Sequence, residues 1–253
     1  MRLFCQEKTT SPSENWQFTV EKAVGEFACV LGADDVFEPN HLERKVDLFQ
    51  KFPNSPFVHG AVQIIDENGD KVKIYEQNLS HEEPRAAFLR RMLPGNSVVA
   101  PVVMFRLREA KQKKIGFNSR YTILMDWYFW MELALNFSGT ILYDDSITMK
   151  YRMHPQNISN LQMKSFRWLM ETVDLQLQVV QQYANQFRQL GINPEAEQKI
   201  VTERLWALAF QQFRKGNRAE AKQVWQLYRQ YHHIGEMFYN MPVHYWKRWR
   251  KRD

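Results

Sequence analysis

A chain of 253 residues with 44% apolar and 25% charged side chains has the composition of a folded globular protein, not of a disordered one. It is long enough for one large domain, or for a medium domain with an appendage. Its two cysteines, Cys5 and Cys29, have no second Cys or His at metal spacing, which argues against a disulfide framework or a zinc site and fits a reducing cytoplasm. The start MRLFCQEK lacks an apolar h-region, and the longest apolar run, Val98 to Phe105 around Pro101, is too short for a bilayer. The expectation is a chain neither secreted nor membrane-spanning. Net charge is +6, but HYWKRWRKRD at the end holds five Lys or Arg against one Asp. The body is nearly neutral, which argues against nucleic-acid binding.

Up to about residue 155 the β-rich runs FACVL, PFVHGAVQII, KVKIY, SVVAPVVMF and TILY alternate with turn signals and helical stretches, an α/β pattern. Between two of these strands Asp66 to Asp70 reads as a turn, with Asn68-Gly69 supplying the positive φ angles of a tight hairpin. After Pro155 the strands stop. From Phe166 the residues Leu169, Met170, Val173, Leu177, Val180 and Phe187 recur at helical spacing and predict one long helix up to Gly191. Asn193-Pro194-Glu195 then supplies a cap, a first-turn proline and a first-turn acid for a second helix, which carries Ile200, Leu205, Leu208 and Phe213 and stops near Gly216. A third runs from about Arg218 to His232.

The segment ALAFQQFRKGNRAEAKQVWQLY resembles one helix-turn-helix unit of a tetratricopeptide array, but only one copy is found where a stack needs several. The domain reading is therefore an α/β domain over 1–160, a helical appendage over 161–243, and a basic aromatic tail over 244–253. In the tail, Trp246 and Trp249 share a face at helical i, i+3 spacing. Together with the surrounding Lys and Arg they suit peripheral contact with an anionic membrane; a solvated chain end is the equal alternative.

The stretch CVLGADDVFEPNHLE joins an apolar run to the adjacent carboxylates of Asp34 and Asp35. Paired carboxylates at the carboxyl edge of a sheet suit Mg²⁺ or Mn²⁺, which take a few protein oxygens plus substrate phosphates. As a dipeptide, however, Asp-Asp before Val-Phe-Glu-Pro reads more readily as the cap of a helix starting near Pro39.

The longer context decides. GEFACVLGADDVFEPNHLERKVDLFQKFPNSPFVHGAVQIIDENG resembles the family 2 glycosyltransferases, whose pattern is approximately "GeYi-x-x-lDaDD-x-x-x-P-x-x-L", then a strand and "id-x-x-G". Downstream, IGFN stands for the family's "gGFde", MDWYFWMELA for "eDwdlwlRla", and YRMHPQNIS for "YR-x-H-x-x-s-iS". The likeness covers about residues 1 to 160. It implies an incomplete A-type glycosyltransferase sheet with flanking helices, followed by an all-α appendage. The activity it implies is inverting transfer of a sugar from a nucleotide-sugar to a glycan or lipid-linked acceptor hydroxyl, in glycan or cell-surface polysaccharide synthesis.

By that resemblance Asp35 and Asp34 hold a divalent cation, Mg²⁺ or Mn²⁺, with Asp34 alternatively facing the donor ribose. His154 completes the metal or diphosphate site, and Arg152 binds donor phosphate. Asp126 matches the catalytic base, although as a lone residue it reads as a helix N-cap. Trp127 lies within a turn of it and stands as an acceptor-stacking ring; for Trp130 the helix core is an equal reading. Two departures weaken the match: Gly32 and Met125 stand where the family often has acids.

The family's opening strand, helix and second strand ending in "vDdgStD", which hold the nucleotide base, have no counterpart here. Weak donor binding, and a sheet whose open edges seek a homodimer or protein partner, are the expectations. The alternative function is a non-catalytic remnant that acts as a binding or scaffold partner of another glycosyltransferase.

Overall fold

The computed structural model describes residues 2–157, 161 and 165–231. The chain divides into two compact units, Met1–Met163 and Lys164–Asp253. The tail with Trp246 and Trp249, and the predicted end of the third helix at His232, lie outside the described residues.

Over its described residues the first unit contains nine strands: β1 Phe27–Cys29, β2 Val36–Phe37, β3 Phe57–Gly60, β4 Val62–Ile65, β5 Lys71–Tyr75, β6 Glu82–Glu83, β7 Met104–Arg106, β8 Ile141–Asp144 and β9 Met149–Arg152. Its helices are α1 Pro12–Lys22, α2 His41–Lys51, α3 Arg85–Met92, α4 Leu107–Gln112 and α5 Met125–Asn136. One sheet runs β1-β7-β3-β8-β6 and the other β2-β9-β4-β5. PFVHGAVQII crosses both, since β3 and β4 are separated only by Ala61. β3 lies parallel to β8, and β4 lies parallel to β9 with Ile65 opposite Arg152. The chain thus brings the carboxyl ends of β4 and β9 side by side.

Packing explains where these elements sit. MDWYFWMELALN is apolar around most of its circumference, and a helix of that kind must be enclosed. Accordingly Trp127, Phe129, Trp130 and Leu133 in α5 are all 1% exposed or less. The Trp130 ring meets Phe57 at 5.6 Å and the Phe129 ring meets Phe105 edge-on at 5.0 Å, which ties α5 to β3 and β7. Each such buried side chain contributes about 1.5–3 kcal/mol relative to exposure, before conformational entropy is charged against it. On β1's side of the sheet, Phe49 of α2, Val58, Met104 and Leu142 form a second cluster against which Phe27 and Cys29 pack.

Several expectations change. β1 is short, half-buried and pairs only with β7, so it is an edge strand and not the buried strand that FACVL promised. SVVAPVVMF is not continuous: Ala100–Val102, with its proline, forms a 3₁₀ turn before β7, because proline has no N–H for a ladder. In the Asp66–Asp70 turn only Gly69 takes positive φ, at 94°. Asn68 does not, because the Asp66 carboxylate accepts from both the Asn68 and Asp70 N–H groups, each at 2.9 Å, and organises a wider turn.

The second unit is all-α over its described residues: α6 Phe166–Gln182, α7 Ala184–Gln189, α8 Pro194–Arg214 and α9 Arg218–Tyr231. The single helix predicted up to Gly191 is broken at Tyr183, which leaves the helical region at φ −111° and ψ 25°. Gly191 turns with φ 68°, and the Asn193 side chain accepts from Glu195 N–H and Ala196 N–H to start α8. Val173 and Leu177 of α6, Val201, Leu205 and Trp206 of α8, and Val224, Leu227 and Tyr228 of α9 form its core.

Candidate active site

Asp34 and Asp35 occupy the connection between β1 and β2. Neither caps α2, which begins at His41 behind Asn40 without a side-chain cap bond, so the helix-cap reading of the pair is set aside. The chain holds them at the paired ends of β4 and β9. Arg152 N–H donates to Asp35 Oδ1 at 2.9 Å, and Arg152 Nε donates to the Asp34 carbonyl at 2.9 Å. The same guanidinium reaches the carbonyls of Asp66 at 2.8 Å and Glu67 at 3.1 Å through Nη1. Arg152 therefore ties the end of β9 to two loops, the aspartate turn and the β4–β5 turn. With two of its three nitrogens committed to backbone, its observed contacts are structural and not those of an open phosphate fork.

His154 lies two residues further on. Its Nε2 is 3.1 Å from Asp34 Oδ2, which joins residues 120 positions apart. Its backbone N–H is held by the Asn157 side chain and its Nδ1 lies 3.2 Å from Gln156 Oε1, contacts that fix the ring's direction. Asp35 is pushed up to about 6, first by burial, then by repulsion from Asp34, against the lowering effect of its Arg152 N–H bond.

Gly32 completes this arrangement. A Cβ on residue 32 would stand 2.5 Å from Asp35 Oδ2 and 3.0 Å from Asp34 Oδ1. The two carboxylates thus converge on the space that the missing side chain leaves. With an oxygen of each acid beside the glycine, the pair could together contribute ligands to a hard divalent ion that completes its shell with substrate phosphate. Among the described residues no group of three or more His, Cys, Asp or Glu forms a full metal cage. The donor set suits an ion shared with a substrate.

The α2 segment that follows is anchored by charges that the sequence motifs do not mark. Asp144, at the end of β8, binds Arg44 at 2.9 Å and the buried Lys45 at 3.1 Å. His41 Nδ1 lies 2.8 Å from Thr148 Oγ1, and its ring stacks on Phe37 at 3.9 Å. These contacts fix the segment that follows the turn in which the aspartates lie.

Asp126 stands in the first turn of α5, not at its N-cap, which is Leu124. Its Oδ1 accepts from Trp127 N–H at 2.8 Å and its Oδ2 from Asn96 Nδ2 at 2.9 Å. Burial lifts it to about 6 against those two bonds. Asn96 is held in turn: its Oδ1 accepts from Val98 N–H at 3.0 Å, and the adjacent Ser97 carbonyl accepts from Gln77 Nε2 at 2.6 Å. Arg91 reinforces the loop by donating to Gln77 Oε1 at 3.0 Å and to Ser97 Oγ. Within PGNS nothing distinguishes this asparagine from an ordinary turn residue.

The bonds that unite Asp34, Asp35, Arg152 and His154 do not extend to Asp126, whose partners are Asn96 and the backbone of its own helix. Trp127 is corrected: it is 1% exposed and its Nε1 donates to the Met92 carbonyl at 3.0 Å, so its ring belongs to the core and has no face to offer a sugar. Trp130, equally buried, takes the core reading.

The mixed α/β unit, with two partial sheets and flanking helices, and the all-α unit together resemble solved glycosyltransferase structures in fold, consistent with a family 2 glycosyltransferase-like fold. The likeness to solved structures is one of fold. S. aureus TarS 1–349 in complex with UDP-GlcNAc superposes with a TM-score of 0.55 at 16% identity, covering 91% of this chain and 76% of that one. S. aureus TarS superposes at 0.51 with 16% identity, covering 78% of this chain and 31% of that one. In sequence, uncharacterized glycosyltransferases of Rickettsia conorii and Rickettsia felis are each 25% identical over 150 residues, 55% of this chain. The chain spans about a quarter of their length, 23% in both cases. No protein-family model matches it.

Proposed function

We propose that this chain belongs to a sugar-transfer machinery in which Asp34, Asp35 and His154 receive the diphosphate of a nucleotide-sugar and Asp126 serves the acceptor. The observation that carries the reading is the convergence of Asp34 and Asp35 over Gly32, with His154 against Asp34, at the carboxyl ends of parallel strands. The relatives' description as glycosyltransferases and the UDP-GlcNAc complex of a similar fold support the choice of donor class.

In this reading the acceptor oxygen forms a bond to the anomeric carbon as the bond from that carbon to the diphosphate oxygen breaks. The bonding pair leaves with the nucleoside diphosphate, and direct displacement inverts the carbon. Asp126 takes the acceptor hydroxyl proton; a carboxylate lifted to about 6 is both ionised at neutral pH and basic enough for that transfer. Asn96 holds the Asp126 carboxylate in one orientation. Asp34 and Asp35 would hold Mg²⁺ or Mn²⁺, which when bound supplies electrostatic stabilisation of the charge developing on the diphosphate. Arg152 keeps the two acids and the β4–β5 turn in register. A glycan or lipid-linked acceptor of cell-surface polysaccharide synthesis, handled on the cytoplasmic side with peripheral membrane contact, completes the proposal.

Saturation-transfer NMR with a panel of uridine diphosphate sugars tests it, because the method detects weak ligands. The expected result is transfer to the donor that grows on adding Mg²⁺ or Mn²⁺ and is lost in Asp34→Asn with Asp35→Asn. No transfer from any donor, or transfer unchanged by that double substitution, would overturn the assignment.

A further inference from the structure

The helical unit carries a groove of about 720 Å³ between the first half of α6 and the second half of α8. Its floor includes Leu169, Val173 and Leu208, and its rim carries Arg204, Arg214 and Lys215, with no acid among the lining residues. All three cations are exposed, and none pairs with a carboxylate among the described residues. The Arg214 guanidinium lies over the Phe210 ring, 6.0 Å from its centroid. Elsewhere in this unit Arg167 binds Glu171 and Arg188 binds Glu195.

We propose that this groove is a docking site for an acidic amphipathic helix of a partner protein. The geometry matches such an occupant. A furrow between two packed helices accepts a third at an axis spacing of roughly 8–10 Å. Arg204 and Arg214 lie ten residues apart on α8, about 15 Å at the helical rise, so they would face carboxylates three turns apart on a helix lying alongside. Apolar side chains at i, i+3, i+4 and i+7 of that helix would meet the floor. Charge argues against the chain's own carboxyl-terminal segment as the occupant, because residues 232–253 carry five Lys or Arg against two acids. The inference stands apart from sugar transfer and holds whichever reaction the first unit performs.

Fluorescence anisotropy with the full chain tests it, using as probe a labelled synthetic helical peptide with leucines at that spacing and glutamates three turns apart. Its counterpart with lysine in place of glutamate is the control. The glutamate peptide should bind saturably, roughly ten-fold or more tighter than the lysine peptide, and weaken with added salt. The double variant Arg204→Glu, Arg214→Glu changes only exposed side chains and should reverse that preference; Ala207→Phe, which fills the floor, should weaken both peptides. Equal binding of the two peptides, or unchanged glutamate-peptide binding in the double variant, would overturn the proposal. Binding to phosphatidylserine vesicles but not to the peptide would also overturn it, in favour of a lipid surface. Self-association abolished by the double variant, without peptide binding, would overturn it in favour of a second copy.

Discussion

A carboxyl group held near pKa 6 is ionised at neutral pH yet more basic than an exposed aspartate, and in Asp126 burial does the lifting while Asn96 and Trp127 N–H oppose it. Asp126→Asn should lower transfer by roughly 10²- to 10⁴-fold while leaving donor binding nearly intact. With wild type, the rate should rise with pH through about 6 and then level. The same group also shapes stability. Its folded pKa lies above the ordinary 3.8, so the folded state holds its proton longer and stability falls as pH rises from about 4 to about 6. Urea midpoints across that range should show a slope that Asp126→Asn flattens.

Gly32 gives a second residue-scale expectation. Gly32→Ala places a methyl 2.5 Å from Asp35 Oδ2, so the carboxylate must turn away, and the metal-dependent donor signal should fall while circular dichroism stays that of wild type. That the acids, His154 and Arg152 lie together was legible in the sequence because they fall in ordered motifs. Arg152's engagement with backbone carbonyls, the Asn96 bond and the burial of Trp127 were not, because each depends on contacts between residues far apart in the chain.

Elements are held in place by a few buried charges. Asp144 is driven up by burial, yet its bond to Arg44 and the charge of Lys45 prevail and hold it down at about 2. That contribution is present above the ordinary 3.8 and is lost as pH falls through about 2. Asp144→Asn leaves Lys45 buried without its counter-charge and should cost about 3–5 kcal/mol, read from urea unfolding, because an uncompensated interior charge is expensive. Asn193→Ala removes the acceptor for two N–H groups at the start of α8 and should cost about 0.5–2 kcal/mol. The start of α8 was readable from Asn-Pro-Glu because capping chemistry is local. The break at Tyr183 and the turn at Pro101 escaped the apolar period, which continues across both.

At the scale of the whole molecule, the change from strand-rich to helical sequence was visible in the periodicity, as was the mixed α/β character of the first unit. The pairing of strands was not. That β3 and β4 are one extended run shared by two sheets, and that β1 lies at an edge, follow from long-range ladders that no local pattern encodes. Those pairings set the position of the candidate site, since they bring the ends of β4 and β9 to the aspartate turn. The inverting transfer proposed for this site fixes which anomer is released first. The most direct measurement is real-time proton NMR of an α-linked uridine diphosphate sugar incubated at millimolar concentration with the chain and Mn²⁺ or Mg²⁺. Slow, metal-dependent release of the sugar is predicted, with the β-anomer appearing first and with the release lost in Asp126→Asn. Initial release of the α-anomer, or release equal in the Asp126→Asn variant, would contradict the account; so would a donor that binds but is never turned over, which would favour the non-catalytic scaffold.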